Sequence, residues 1–246
     1  MKDDTAEATA ALAAGRMRFF EVELEVGPGA LVPRRETELL ARRALARLAE
    51  DTLEAPLVID MCCGVGNLAC AIATQVPTAR VFASDLTEET VALATRNVER
   101  LGLSGRVTVL RGDLFAALDG YGLEGAVDLV VANPPYISSA RLESDRASLL
   151  EHEPREAFDA GPYGLTIHQR LLREAWEFLR PHRTLAFEMG AGQERQVLAL
   201  ARRARRGGQP LWSVPELVED EQGRPRVAMF RRNAHTDEEE RETSQS

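Results

Sequence analysis

Pro56-Leu57-Val58-Ile59-Asp60-Met61-Cys62-Cys63-Gly64-Val65-Gly66-Asn67 is the stretch on which the fold turns. Its first half is a short apolar run, the pattern of a strand buried on both faces. A turn with two glycines follows, and residues 67–75 continue with helical spacing. The same alternation repeats outward. Strands are predicted at 80–84, 106–110, 126–132 and 184–189, and helices at 87–101, 166–179 and 193–206, with Thr87 as an N-cap. Upstream, residues 37–50 place Leu40, Ala44 and Leu48 on one helical face. Such alternation yields an α/β fold with a doubly wound, mostly parallel sheet and helices on both faces.

The ends read differently. Residues 1–18 form a polar, Ala-rich lead-in with weak helical character. Residues 19–26 set Phe20, Val22, Leu24 and Val26 on one face and Glu21, Glu23 and Glu25 on the other, as a half-buried strand does. Gly27-Pro28-Gly29 is a turn, and 30–33 are expected to return as the second strand of an N-terminal β-hairpin. Residues 211–214 and 226–230 are expected to pair, giving the sheet an antiparallel C-terminal strand. Trp176 and Phe178 read as core, and His168 and His182 as exposed. The stretch 134–164 lacks periodicity, as long functional loops do.

The 246 residues carry 30 Lys+Arg against 39 Asp+Glu, a formal charge of -9. That balance disfavours a protein that holds nucleic acid by bulk charge. The tail 233–246 holds five acids and one arginine and is expected to be disordered, which leaves 19–232 as one domain. Cys62, Cys63 and Cys70 are an odd set with two adjacent members, so no disulfide framework is expected and a reducing cytoplasm is favoured. No histidine neighbours them to complete a zinc set, so no metal is expected. No apolar run approaches the roughly 20 residues of a membrane span. Asp3, Asp4 and Glu7 fit no secretory leader.

A glycine-rich turn at the end of the first parallel strand lets a ligand approach the backbone, and the next helix offers free N–H groups. Asp85, 19 residues after Gly66, stands where a carboxylate can accept from both hydroxyls of a ribose; helix capping is the alternative. Asp113, in Arg111-Gly112-Asp113-Leu114, suits an exocyclic adenine amine, or else caps a short helix. Asp60 beside the loop would repel a diphosphate but attract an ammonium or sulfonium. The cofactor these residues suit is a nucleoside without a pyrophosphate.

The next buried strand runs into Asn133-Pro134-Pro135-Tyr136. Two prolines stop the sheet and fix the backbone. The Pro134 carbonyl and the Asn133 side chain supply two acceptors, and Tyr136 a flat ring. Two acceptors and a ring suit a planar –NH2 group.

Residues 60–66, Asp85 and this tetrapeptide together resemble the class I S-adenosylmethionine-dependent methyltransferases that act on a planar nitrogen. More narrowly, the chain resembles the HemK-type protein-glutamine N5-methyltransferase family. Pro33-Arg34-Arg35-Glu36-Thr37-Glu38 is similar to its Pro-Arg-Pro-x-Thr-Glu signature, and Glu153-Pro154-Arg155-Glu156-Ala157-Phe158 to its Glu-Pro-x-x-Ala-Leu element. Gly161-Pro162-Tyr163-Gly164-Leu165 stands where the family has Gly-x-Asp-Gly-Leu, and Glu188-Met189-Gly190 where it has Glu-His-Gly. Cys62 replaces the first loop glycine and Tyr163 an aspartate.

The resemblance implies a Rossmann-like sheet and S-adenosyl-L-methionine as cofactor, leaving S-adenosyl-L-homocysteine. Asp60, Cys62, Gly64 and Gly66 of the loop are implied cofactor contacts, as are Asp85, Leu86, Asp113, Leu114 and Asn133. Pro33, Arg34, Thr37, Pro135, Tyr136, Glu153 and Tyr163 are implied acceptor contacts. Asn133, Pro134 and Tyr136 are the implied catalytic set, orienting a nitrogen for in-line attack on the methyl group. Release-factor members carry a helical N-terminal domain, where this sequence has the lead-in 1–18. The acceptor is expected to be a protein glutamine or, alternatively, an amide, amine or carboxylate of a small molecule, which the short lead-in and Tyr163 favour. Adenine-N6 methylation and a non-catalytic cofactor-binding protein are further alternatives.

Overall fold

The computed structural model describes residues 2–137 and 164–234. A helix α1 (Lys2–Ala14) precedes a hairpin of β1 (Arg16–Phe19) and β2 (Val22–Glu25), then α2 (Thr37–Glu50). The alternating body follows: β3 (Leu57–Met61), α3 (Asn67–Gln75), β4 (Arg80–Asp85), α4 (Glu88–Arg100) and β5 (Val107–Arg111). A 3-10 turn (Leu114–Leu118) leads to β6 (Val127–Ala132). After the interval come α5 (Thr166–Phe178), β7 (Leu179–Glu188) and α6 (Glu194–Arg203). A short hairpin, β8 (Arg205–Arg206) and β9 (Gln209–Pro210), precedes β10 (Glu216–Glu219) and β11 (Pro225–Arg231).

Seven strands form one sheet in the order β10-β11-β7-β6-β3-β4-β5. The five from β7 to β5 are parallel, β11 runs antiparallel to β7, and β10 runs antiparallel to β11. This is the doubly wound fold expected. From β3 the chain winds one way to β4 and β5, then crosses back to β6 on the other side of β3. Loops leaving β3 and β6 therefore diverge and open a crevice at the carboxyl ends of the strands.

Alternation in each strand feeds two cores. Val58, Leu129, Val131 and Ala186 pack under α2, α3 and α4, while Ile59, Met61, Val130 and Phe187 pack under α5 and α6. Strand β6 is buried throughout, including Asp128. The Asp128 carboxylate accepts from the Leu57 N–H at 2.9 Å and pairs with Arg180 at 3.0 Å and Arg183 at 3.4 Å. Thr87 caps α4 by accepting from the Thr90 N–H at 3.3 Å. Trp176 and Phe178 are core, as expected.

Four expectations are corrected. The hairpin turns at Phe20-Glu21, not at 27–29, and most of its first strand lies inside the lead-in. Phe20 takes a φ of +53°, a turn without the glycine or asparagine that would have marked it. Residues 205 and 206 leave the helix because Gly207 and Gly208, with φ of +53° and +79°, fold them back on 209 and 210. Residues 226–230 pair with β10 and β7, and 211–214 reach only the end of that strand, through a bridge of Trp212 with Arg232; the Trp212 indole N–H donates to the Leu172 carbonyl at 2.8 Å in the core. His168 is fully buried rather than exposed. No described helix is long and apolar enough to cross a membrane.

Candidate active site

A cavity of about 360 Å³ opens at the crevice between the loops after β3, β4 and β6. That volume falls in the range of small-molecule sites. Cys62, Cys63, Gly64, Ser84, Asp85 and Leu86 form one wall, Gly112, Asp113 and Leu114 another, and Asn133 and Pro135 the side towards Pro33.

The loop after β3 is shaped by left-handed residues: Cys62 at φ +56°, Gly64 at +56° and Gly66 at +81°. For Cys62 that conformation strains an L-residue by roughly 1–2 kcal/mol. Its thiol sits well above the usual range, pushed by burial and then by Asp85 and Asp60. Gly66 does not line the cavity. It starts α3, and a Cβ there would meet the Ala94 Cβ at 3.4 Å, so its glycine brings α3 against α4. Asn97 of α4 fixes the loop from behind. Its Nδ2 donates to the carbonyls of Val65 at 3.0 Å and Glu25 at 2.9 Å, and its Oδ1 accepts from the Glu25 N–H at 2.7 Å. Sequence reasoning missed it, because a buried asparagine within an amphipathic helix carries no local signal.

Asp85 takes the Gly64 N–H on Oδ2 at 2.9 Å and its neighbour Leu86 N–H on Oδ1 at 2.8 Å. Burial raises its pKa, against the pull of these backbone donors. It braces the glycine loop and faces the cavity together. Asp60 lies beneath the loop, fully buried and outside the cavity lining. Its Oδ2 accepts from the Ala69 N–H at 2.9 Å and its Oδ1 has no partner. Burial lifts its pKa to about 8. Its negative charge is thus suppressed near neutral pH, contrary to the attraction expected of it. Asp113 lines the cavity but does not cap the turn; Arg170 of α5 holds both its oxygens. Leu114, at φ +51°, and Leu86 complete that rim.

Asn133 and Tyr136 enter a buried polar network. Asn133 Nδ2 donates to Thr37 Oγ1 at 3.1 Å, and Thr37 donates to Glu188 Oε2 at 2.8 Å. Tyr136 donates to Glu188 Oε1 at 3.3 Å, and Arg226 Nη2 lies 3.4 Å from the same oxygen. Desolvation pushes the Tyr136 hydroxyl up, with Glu188 reinforcing it. Gln193 donates to the Tyr136 carbonyl at 2.9 Å and accepts from the Gly190 N–H at 2.8 Å, tying the tetrapeptide to the end of β7. Pro134, buried between two neighbours that line the cavity, is outside the lining, and so is Tyr136, contrary to the catalytic contacts implied for both. Thr37 and Arg34 do not touch the cavity; Thr37 acts from behind Asn133. Arg226 was missed, since its place follows from the β11–β7 pairing alone. Glu153 and Tyr163 lie outside the described residues. Among the described residues no His, Cys, Asp and Glu cluster could hold a metal.

A family model, the methyltransferase small domain, matches residues 37–160. The chain belongs to that family. A release factor glutamine methyltransferase of Moorella thermoacetica is 40% identical to this methyltransferase chain over 188 residues, 76% of the chain and 64% of that protein. A Streptomyces pristinaespiralis protein, a 4-amino-L-phenylalanine/4-methylamino-L-phenylalanine methyltransferase, is 37% identical over 191 residues, 76% of the chain and 63% of its own. The chain thus spans less than two thirds of either relative. In fold, the methyltransferase chain is similar to a methyltransferase from Pyrococcus furiosus, with a TM-score of 0.60, 18% identity, and coverage of 95% and 98%.

Proposed function

We propose that this chain transfers a methyl group from S-adenosylmethionine to a planar nitrogen, and that the acceptor is the side-chain amide of a glutamine in a peptide chain release factor. The observation that carries this reading is that Asn133 and Pro135 line the same cavity as Gly64, Asp85 and Asp113. Acceptor-orienting and nucleoside-reading groups thus share one space. The Asp85 and Asp113 carboxylates on the cavity wall fit a nucleoside with a cationic tail. Bound there, S-adenosylmethionine supplies an electrophilic methyl group.

The residues supply binding and orientation. Asp85 accepts from ribose hydroxyls and Asp113 from the adenine amine. Asn133 Oδ1 accepts a hydrogen of the acceptor nitrogen as it grows more positive, while Tyr136, just outside the cavity lining, holds the tetrapeptide through Glu188. Holding two reactants in a near-attack arrangement lowers a barrier by about 7–11 kcal/mol in favourable cases. No side chain is needed as a base, because an alkylated amide nitrogen is acidic enough for water to take its proton.

The test is incubation with methyl-labelled S-adenosylmethionine and a release factor, followed by peptide mapping. Label on a glutamine side chain supports the reading; a release factor that stays unlabelled overturns the acceptor. The similarity to the Streptomyces enzyme favours a second reading, methylation of the amine of a free aromatic amino acid. Label in 4-amino-L-phenylalanine but not in the release factor would establish it.

A further inference from the structure

We propose that Glu188 fixes which way round the Asn133 amide sits, acting through Thr37. The inference deepens the reading above and rests on Asn133 presenting an acceptor to the substrate nitrogen. Asn133 serves that purpose only with its oxygen towards the cavity and its –NH2 turned away. An asparagine amide is nearly symmetric in shape, so packing alone discriminates weakly between the two orientations. Hydrogen-bond polarity has to decide it.

The chain from Glu188 to Asn133 has one allowed polarity. Three donors converge on the Glu188 carboxylate: the Thr37 hydroxyl at 2.8 Å, the Tyr136 hydroxyl at 3.3 Å and the Arg226 guanidinium at 3.4 Å. Such a set suits a carboxylate that only accepts. Thr37 has one hydroxyl proton, and Glu188 takes it. The oxygen of Thr37 is then left to accept, and the group 3.1 Å from it is Asn133 Nδ2. The –NH2 is drawn to Thr37 and Oδ1 is turned the other way.

The setting makes the relay strict. Thr37 is 0% exposed, Glu188 1% and Arg226 7%, so bulk water does not reach in to substitute for a missing partner. The three elements are independent: Thr37 opens α2, Asn133 follows β6, and Glu188 closes β7. Arg226 also donates to the Met189 carbonyl at 3.3 Å, which anchors the guanidinium beside the carboxylate. Tyr136 donates to the same carboxylate, so one side chain holds both Asn133 and Tyr136 in place. Glu188 and Thr37 are positioning residues: neither lines the cavity.

Thr37→Val removes the hydroxyl while keeping the shape, Thr37→Ser keeps the hydroxyl, and Glu188→Gln keeps the size while losing the charge. With release factor as acceptor, Thr37→Val is expected to lower kcat about 100-fold, the scale of losing one oriented polar group in a site. Its calorimetric affinity for S-adenosylmethionine should stay within threefold of wild type, and Thr37→Ser should recover most of kcat. Glu188→Gln should lower kcat in the same way. A kcat for Thr37→Val within threefold of wild type, or equal losses in the Ser and Val variants, overturns the proposal. A second measurement needs no acceptor. The Asn133 side-chain amide protons, assigned by their disappearance in Asn133→Asp, should show a nuclear Overhauser contact to the Thr37 methyl group in the wild-type protein. Absence of that contact overturns the relay. Should wild type methylate no release factor, the acceptor assignment fails and the amide contact alone decides the relay.

Discussion

Arg170 Nη1 lies 2.7 and 2.9 Å from the two carboxylate oxygens of Asp113, so an aspartate lining the cavity is held by an arginine of α5. Arg170 is 30% exposed and Asp113 60%. A pair so open to water contributes at most about 1 kcal/mol. A purine amine that donates to Asp113 has to compete with it. Arg170→Met is therefore expected to bind S-adenosylmethionine tighter, by up to about fivefold, which is what 1 kcal/mol allows. Calorimetry checks this, and unchanged affinity would show that Asp113 does not read the cofactor.

Asp85 braces the loop through Gly64 while facing the cavity. Hydrogen bonds to a charged group contribute about 1.5–3 kcal/mol each. Asp85→Ala should weaken cofactor binding by roughly 10–100-fold on that scale. The melting temperature of the cofactor-free protein should fall too, since the Gly64 and Leu86 amides lose their acceptor. A variant that melts lower but binds normally would leave Asp85 as a brace alone.

Asn133 donates to Thr37 and lines the cavity. Asn133→Ala removes one oriented acceptor, and comparable losses lower kcat by about 10²–10³. Cofactor affinity should change only a fewfold. Turnover within a fewfold of wild type would contradict the role given to Asn133.

The sheet was legible because its signal is local: apolar runs at 57–61 and 127–132, each followed by a loop of unusual chemistry. Helix α2 was legible over its whole length, since Leu40, Ala44 and Leu48 bury one face. The hairpin was misplaced because its turn at Phe20-Glu21 has no turn chemistry, whereas Gly27-Pro28-Gly29 has it without making a hairpin. In the site, the tetrapeptide and Asp85 stood out because strand ends expose them. Arg226 and Asn97 did not, because their partners are distant in sequence. Asp60 was seen, but its ionisation was not: adjacency to a loop says nothing of burial, and burial suppresses the charge on which its argument rests.

Cys62 sits at φ +56° where a glycine would be unstrained. Cys62→Gly removes roughly 1–2 kcal/mol of backbone strain but returns about 0.5–1 kcal/mol of unfolded-chain entropy. A net gain of about 0.5–1 kcal/mol raises the melting temperature by roughly 1–4 °C in a domain of this size. Thermal melts of the two proteins check it; a lower melting temperature would mean that the thiol's packing outweighs the strain.

Asp60 and His168 give the stability opposite pH slopes. The Asp60 carboxyl is raised by burial from an ordinary 3.8 to about 8. The folded state thus holds a proton that the unfolded chain has lost between those values. Stability from Asp60 is complete below pH 3.8 and is lost as pH rises through about 8. His168, buried against Phe187 with Nε2 3.0 Å from the Glu188 carbonyl, is lowered from 6.5 to about 4. Its contribution is complete above 6.5 and is lost as pH falls through about 4. The two slopes oppose each other between about 4 and 6.5, and above 6.5 only the Asp60 slope remains. Urea midpoints of the cofactor-free protein should therefore fall between pH 6.5 and 8. Asp60→Asn, which keeps an acceptor for the Ala69 N–H but cannot ionise, should flatten that fall. An equally steep decline in the variant would place the titrating proton on another group.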